Sequence, residues 1–220
     1  KKVDWQLVIL VCSIIIIMIM GVRQSLGLFL DPITSFMKSG KEFFSFAIGV
    51  QAIIWGLVTF FLGILIDKLG PQKVLAFGII SYSSGIFLMS NPTSEFVLFS
   101  ATTLMGFGLG GAGMATMVSI AGKVAPVNKR SLAMGLVAAA ASFGQFAVVL
   151  PTMWMNKEFG WEVSLVVLAS ISISLLLLLP LLNSTNEKNS NVQDFGNSLQ
   201  QTIMFSLKER NYILLISGFF

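Results

Sequence analysis

Apolar residues run along the chain in blocks of about 20, the length that crosses a hydrocarbon core, and polar residues gather in short gaps between them. The pattern predicts six helical spans, at 6–30, 43–66, 74–90, 96–121, 131–155 and 161–182, and the opening of a seventh at 211–220. The first run is too long for a signal peptide and lacks a small-residue cleavage site. Residues 183–210 form the long polar stretch, and they divide the chain into three parts. The parts are a six-helix bundle at 1–182, a linker at 183–210 and a truncated seventh span at 211–220. Leu199, Ile203, Met204 and Leu207 share one helical face, which predicts a short surface helix late in the linker. About ten residues of helix reach about 15 Å, half a core. A chain ending at Phe220 therefore reads as a fragment of a longer one.

Charge orients the spans. Lys1, Lys2, Lys68, Lys73, Lys123, Lys129, Arg130, Lys188, Lys208 and Arg210 fall on one side, against Lys38, Lys41 and Lys157 on the other. The basic excess places the N-terminus in the cytoplasm. The 10 acidic residues all fall in loops or at span ends. Composition agrees with lipid as the main solvent. The chain is 55% hydrophobic and only 11% charged, where a soluble domain carries about a quarter, and its mean hydropathy is +0.86. With no His and one Cys, a Ser-His-Asp triad, a His-ligated zinc and a disulfide framework are unavailable within this segment. No enzyme activity, cofactor or metal is expected. Cys12 reads as an inert buried thiol. The net charge of +4 is dispersed over loops, which argues against nucleic acid as a partner.

One connection stands out: Gly63-Ile64-Leu65-Ile66-Asp67-Lys68-Leu69-Gly70-Pro71-Gln72-Lys73. Helices joined so tightly must be antiparallel neighbours, and a turn this charged must face water. Gly63 is expected to permit close helix contact and Asp67 to end one helix. Gly70 and Pro71 then turn the chain and restart it. The pattern Gly-x-Leu-x-Asp-basic-x-Gly-x-x-basic resembles the loop between spans two and three of the major facilitator superfamily of transporters. That resemblance implies twelve spans in all, of which these six form the N-terminal half, itself two three-span inverted repeats. It further implies that Asp67, Lys68, Gly70 and Lys73 latch one side of the bundle shut during alternating access.

The fifth span narrows the resemblance. Arg130, Leu132, Ala133, Gly135, Ala139 and Gly144 match a signature similar to that of the monocarboxylate-porter and oxalate-formate-antiporter-like branch, with Val137 where Ala is usual and Ala140 where Gly is usual. The branch's motif ahead of span one is represented by Asp4-Trp5. A small-residue face lets a helix rock against its neighbours, and Pro151 removes a backbone hydrogen bond and invites a bend. Arg130, Gly135, Gly144 and Pro151 are therefore expected to be conformational residues. Span four contains Gly-x-Gly-x-x-Gly twice between Gly106 and Gly113. A dinucleotide site would need a preceding strand, so Gly106 and Gly110 instead predict a close helix crossing.

Arg23 is the charged residue placed within a span. Arg at such depth costs at least about 2.5–3.5 kcal/mol, so it needs a partner or a wet cavity. No Asp or Glu lies inside the six spans. Its partner is then the missing half, water, an anionic substrate that the guanidinium grips with two hydrogen bonds, or, by snorkelling, the interface near Asp31. Gln24, Gln51 and Gln145 are further cavity candidates, with Trp55 as an apolar wall. The reading is a secondary transporter in a bacterial inner membrane that moves a small organic anion, proton-coupled or by exchange. A neutral or cationic solute, as in efflux, and a non-transporting scaffold are the alternatives. The expected partners are the solute, the lipid bilayer and the C-terminal half.

Overall fold

The computed structural model describes residues 4–186. Lys1, Lys2, most of the expected linker with its surface helix, and the start of the seventh span lie outside the described residues. Within them the chain is helical throughout, and six stretches are long and apolar enough to cross a membrane: Trp5–Met37, Lys41–Gly63, Pro71–Met89, Glu95–Val124, Val127–Phe159 and Trp161–Leu182.

Span one is α1 (Trp5–Ser25), a 3₁₀ turn and α2 (Leu30–Met37). Asp4 starts it by accepting a hydrogen bond from the Gln6 N–H at 3.1 Å, satisfying one orphan donor of the first turn. Span two is α3 (Lys41–Leu69) and span three is α4 (Pro71–Met89), with Gly70 alone between them. Gly70 holds φ 85° and Pro71 opens α4, as the sequence anticipates. Asp67, however, does not end a helix: α3 runs on to Leu69. Gly70, which tolerates positive φ, sets the stop instead.

Span four is α5 (Glu95–Ala112) and α6 (Met114–Val124), parted at Gly113, whose backbone is extended. Span five is α7 (Arg130–Ala147) and α8 (Val149–Phe159). Pro151 has no N–H to donate to the Ala147 carbonyl, and the helix is interrupted at Val148 as expected. Span six is α9 (Trp161–Ser174), continuing as 3₁₀ helix through Asn186, past the expected limit at 182.

Span one packs against span five, and span four against span two; spans three and four share the broadest interface, and span three also meets span six. Exchanging spans one to three with four to six turns the one–five contact into four–two and leaves three–six and one–four unchanged. These pairings follow two three-span repeats, whereas the broad three–four interface has only a slight counterpart between spans six and one. Its packing depends on glycine, because interfaces in lipid gain from close backbone approach rather than from expelling water. A Cβ on Gly110 would stand 2.5 Å from Val58 of span two, and one on Gly108 2.5 Å from Tyr82 of span three. Gly106 meets Gln51 and Ile54 of span two. Alternate glycines of span four therefore serve opposite neighbours. Gly144 lies against the backbone of Ile17, and Gly21 against Val148, closing spans one and five together. Gly63 and Gly135 meet nothing within 4 Å. The expected close helix contact at Gly63 is absent within this bundle, because its face of α3 borders a cleft.

Candidate functional site

Arg23 occupies span one past its midpoint, and Trp55 sits midway along the 29 residues of α3. The guanidinium carbon of Arg23 lies 4.8 Å from the centroid of the Trp55 ring. A cation over an indole face gains roughly 0.5–2 kcal/mol, depending on desolvation. That offsets only part of the roughly 2.5–3.5 kcal/mol of placing Arg in a span. The remainder falls to water, an anion or the C-terminal half. The Arg23 Nε is buried with no hydrogen-bond acceptor among the described residues. Asp31, the outward anchor that snorkelling would use, pairs with Lys41 at 2.6 Å.

Gln51 stands one turn before Trp55 on the same face of α3 and is 2% exposed. Its amide Nε2 likewise has no partner among the described residues. An unsatisfied buried donor costs about 1–3 kcal/mol, so two of them in one region are costly unless a ligand or water accepts from them. Tyr82 of span three is fully buried and donates to the Ile19 carbonyl, one helical turn before Arg23, at 3.0 Å. Gly113 completes the wall: a Cβ there would lie 3.2 Å from the Trp55 indole nitrogen. The break in span four therefore leaves the slot that Trp55 occupies.

Arg23 and Trp55 thus meet across spans one and two, with Gln51 one turn from Trp55 along α3. Gln24 and Gln145 are exposed, and their side chains make no hydrogen bond among the described residues. Two contributors were not singled out as site residues from sequence. A tyrosine within span three and the last glycine of the span-four run carry no local sign of the contacts that Tyr82 and Gly113 make. A second cleft of about 220 Å³ follows the same face of α3, bordered by Thr59, Gly63, Thr116, Ser119 and Lys123. Thr59 spends its proton on the Trp55 carbonyl at 2.7 Å, and Thr116 on that of Gly110 at 3.4 Å. Both hydroxyls are left as acceptors.

Of the expected conformational residues, Lys73 and Arg130 are exposed, Arg130 as the first residue of α7. Beside it Lys129 lies 5.3 Å from the Trp5 ring, tying the start of span five to that of span one. The backbones of Asp67 and Lys68 lie in the last turn of α3.

The family model described as Major Facilitator Superfamily matches residues 8–220. The chain belongs to this superfamily. It is 26% identical over 166 residues to an agnestins efflux protein, AgnL12, of Paecilomyces divaricatus, covering 74% of this chain and 36% of that protein. It is 32% identical over 152 residues to the vesicular acetylcholine transporter of Drosophila melanogaster, covering 66% of this chain and 26% of that one. It is 25% identical over 161 residues to an uncharacterized MFS-type transporter, YcxA, of Bacillus subtilis (strain 168), covering 70% of this chain and 38% of that one. The chain spans well under two thirds of each relative's length. Each of these relatives is named for transport or efflux, and the monocarboxylate branch rests on the residues alone.

Because Gln51 is buried with an unpartnered amide, Gln51→Leu in this facilitator-superfamily chain is expected to leave thermal stability unchanged or raised by up to about 1 kcal/mol. The same variant should lower solute uptake. A stability loss above that size, measured by thermal unfolding in detergent, would make Gln51 a structural tie between helices instead.

Proposed function

We propose that this chain is the N-terminal half of a secondary active transporter that carries a small organic anion by alternating access, with Arg23 as the anion's counter-charge. The observation that carries the reading is the Arg23 guanidinium seated on Trp55 with its Nε buried and unpartnered, and the buried, unpartnered Gln51 Nε2 one turn along α3, two of several such atoms among the described residues. Donors without acceptors fit a ligand rich in acceptors, and a mono- or dicarboxylate is the smallest such solute. The span-five residues Arg130, Leu132, Ala133, Gly135, Ala139 and Gly144 support the monocarboxylate-porter-like branch. The basic excess at the end where odd-numbered spans begin supports a cytoplasmic N-terminus, and the short connections suit a bacterial inner membrane. Proton coupling would draw on a group in the C-terminal half, since no carboxylate lies deep in these spans; anion exchange needs none.

A second reading, a neutral or cationic solute, draws on the names of an efflux protein and a vesicular acetylcholine transporter among the relatives. Arg23 weighs against a cation, because it covers the Trp55 face a cation would use and repels like charge. Counterflow into proteoliposomes by the full-length protein separates the two. Uptake of carboxylates, lost in Arg23→Gln, is the expected result. Uptake of neutral or cationic solutes, indifferent to Arg23→Gln, would overturn the anion reading.

In this reading Asp67, with Lys68, Gly70 and Lys73, forms the latch of the cytoplasmic side, and Gly135, Gly144 and Pro151 give span five its freedom to rock. Asp67→Asn is expected to slow turnover several-fold with little change in apparent affinity. Initial-rate kinetics over a solute titration tests this; a normal maximal rate would remove Asp67 from the latch.

A further inference from the structure

A cleft of about 330 Å³ opens between the first turns of span three and the last turns of span six. It lies away from Arg23 and Trp55, at the end of the bundle where Lys73, Lys123, Lys129 and Arg130 gather. Its wall is apolar, formed by Ala76, Leu176, Leu179 and Pro180, with Gln72 and Lys73 at the rim. Gln72 is not free to serve a ligand through its amide nitrogen, which donates to the Leu179 carbonyl at 3.0 Å and fixes the two spans together. Lys73 is exposed and forms no ion pair among the described residues. Next in sequence to the lining residues Ala76 and Leu176, Phe77 is half exposed and Leu177 80% exposed.

We infer that this cleft holds one anionic phospholipid. The amphiphilic order of the cleft argues for lipid over a free anion: Lys73 at the rim, then an apolar trough between spans three and six. A soluble anion would meet one lysine and four apolar residues. A lipid phosphate meets the lysine while its acyl chain covers the trough. A second copy of the chain would bring the same positive rim and no complementary charge. The lipid bridges span six to the residues just after Gly70, so it braces the turn between spans two and three from outside. This inference does not rest on the nature of the transported solute.

The test is native mass spectrometry of the purified full-length protein with added phosphatidylglycerol or phosphatidylcholine, scored on the tightest adduct. Phosphatidylglycerol is expected to bind in preference to phosphatidylcholine. Lys73→Gln should weaken that adduct about fivefold, the loss of one lysine at an anionic surface, while Lys73→Arg keeps it. Equal binding of the two lipids, wild-type phosphatidylglycerol binding by Lys73→Gln, or equal loss in both variants would each overturn the proposal.

Discussion

Replacing Gly144 with valine is expected to destabilise the bundle by about 3 kcal/mol, near the upper end for inserting bulk into a packed site. The reason is what stands in the way. A Cβ at this position collides with the carbonyl oxygen and Cα of Ile17, the Cα at 2.5 Å. Backbone cannot rotate aside as a side-chain tip can, so spans one and five must separate. That separation also opens the seam at Gly21 and Val148, which closes the same interface one turn away. The control is Gly135→Val on the same helix. Gly135 meets nothing within 4 Å and is exposed, so valine there should shift stability by no more than about 0.5 kcal/mol. Thermal unfolding of the purified protein in detergent compares the two. Equal losses would mean that helix propensity, and not the span one–five contact, governs the effect. A Gly135→Val protein that unfolds normally but transports poorly would support its conformational role.

The contrast between these glycines marks where sequence reasoning stopped. Both belong to one small-residue signature, and nothing in the local sequence says which meets a neighbour. That depends on the rotation of span five about its axis, which the whole bundle sets. The six spans were legible because lipid demands about 20 apolar residues for each crossing. Their ends were less so. Span one runs on through Asp31 and Pro32 to Met37, because a 3₁₀ turn at Leu26–Phe29 lets the chain re-enter a helix at Leu30 whose first turn tolerates Pro32. The break at Val148 was readable from Pro151, which lacks a donor by its chemistry. The break at Gly113 was not, since glycine permits an interruption without requiring one. Arg23 was legible as a misplaced charge, yet its seat on Trp55 was not. Residues 32 apart in the chain meet there only because spans one and two pack beside the opened span four.

Arg23→Gln is expected to reduce carboxylate uptake at limiting solute by about 100-fold, and Arg23→Lys by about tenfold. Charged hydrogen bonds are worth about 1.5–3 kcal/mol, and lysine keeps the charge while losing the two-pronged geometry. Trp55 should matter through Arg23 and not by itself. Its ring lies under the guanidinium, so Trp55→Leu removes the platform that aims the donors while leaving an apolar wall of similar reach. In that case the double variant Arg23→Gln/Trp55→Leu falls little below Arg23→Gln alone, because there is no guanidinium left to aim. A coupling of about 0.5–2 kcal/mol between the two changes follows from the size of a cation–π contact. Effects that simply multiply would mean that Trp55 touches the solute independently. Single variants that both take up carboxylate as the unaltered protein does would remove this cluster from the transport path, and leave Arg23 as a charge that the C-terminal half neutralises.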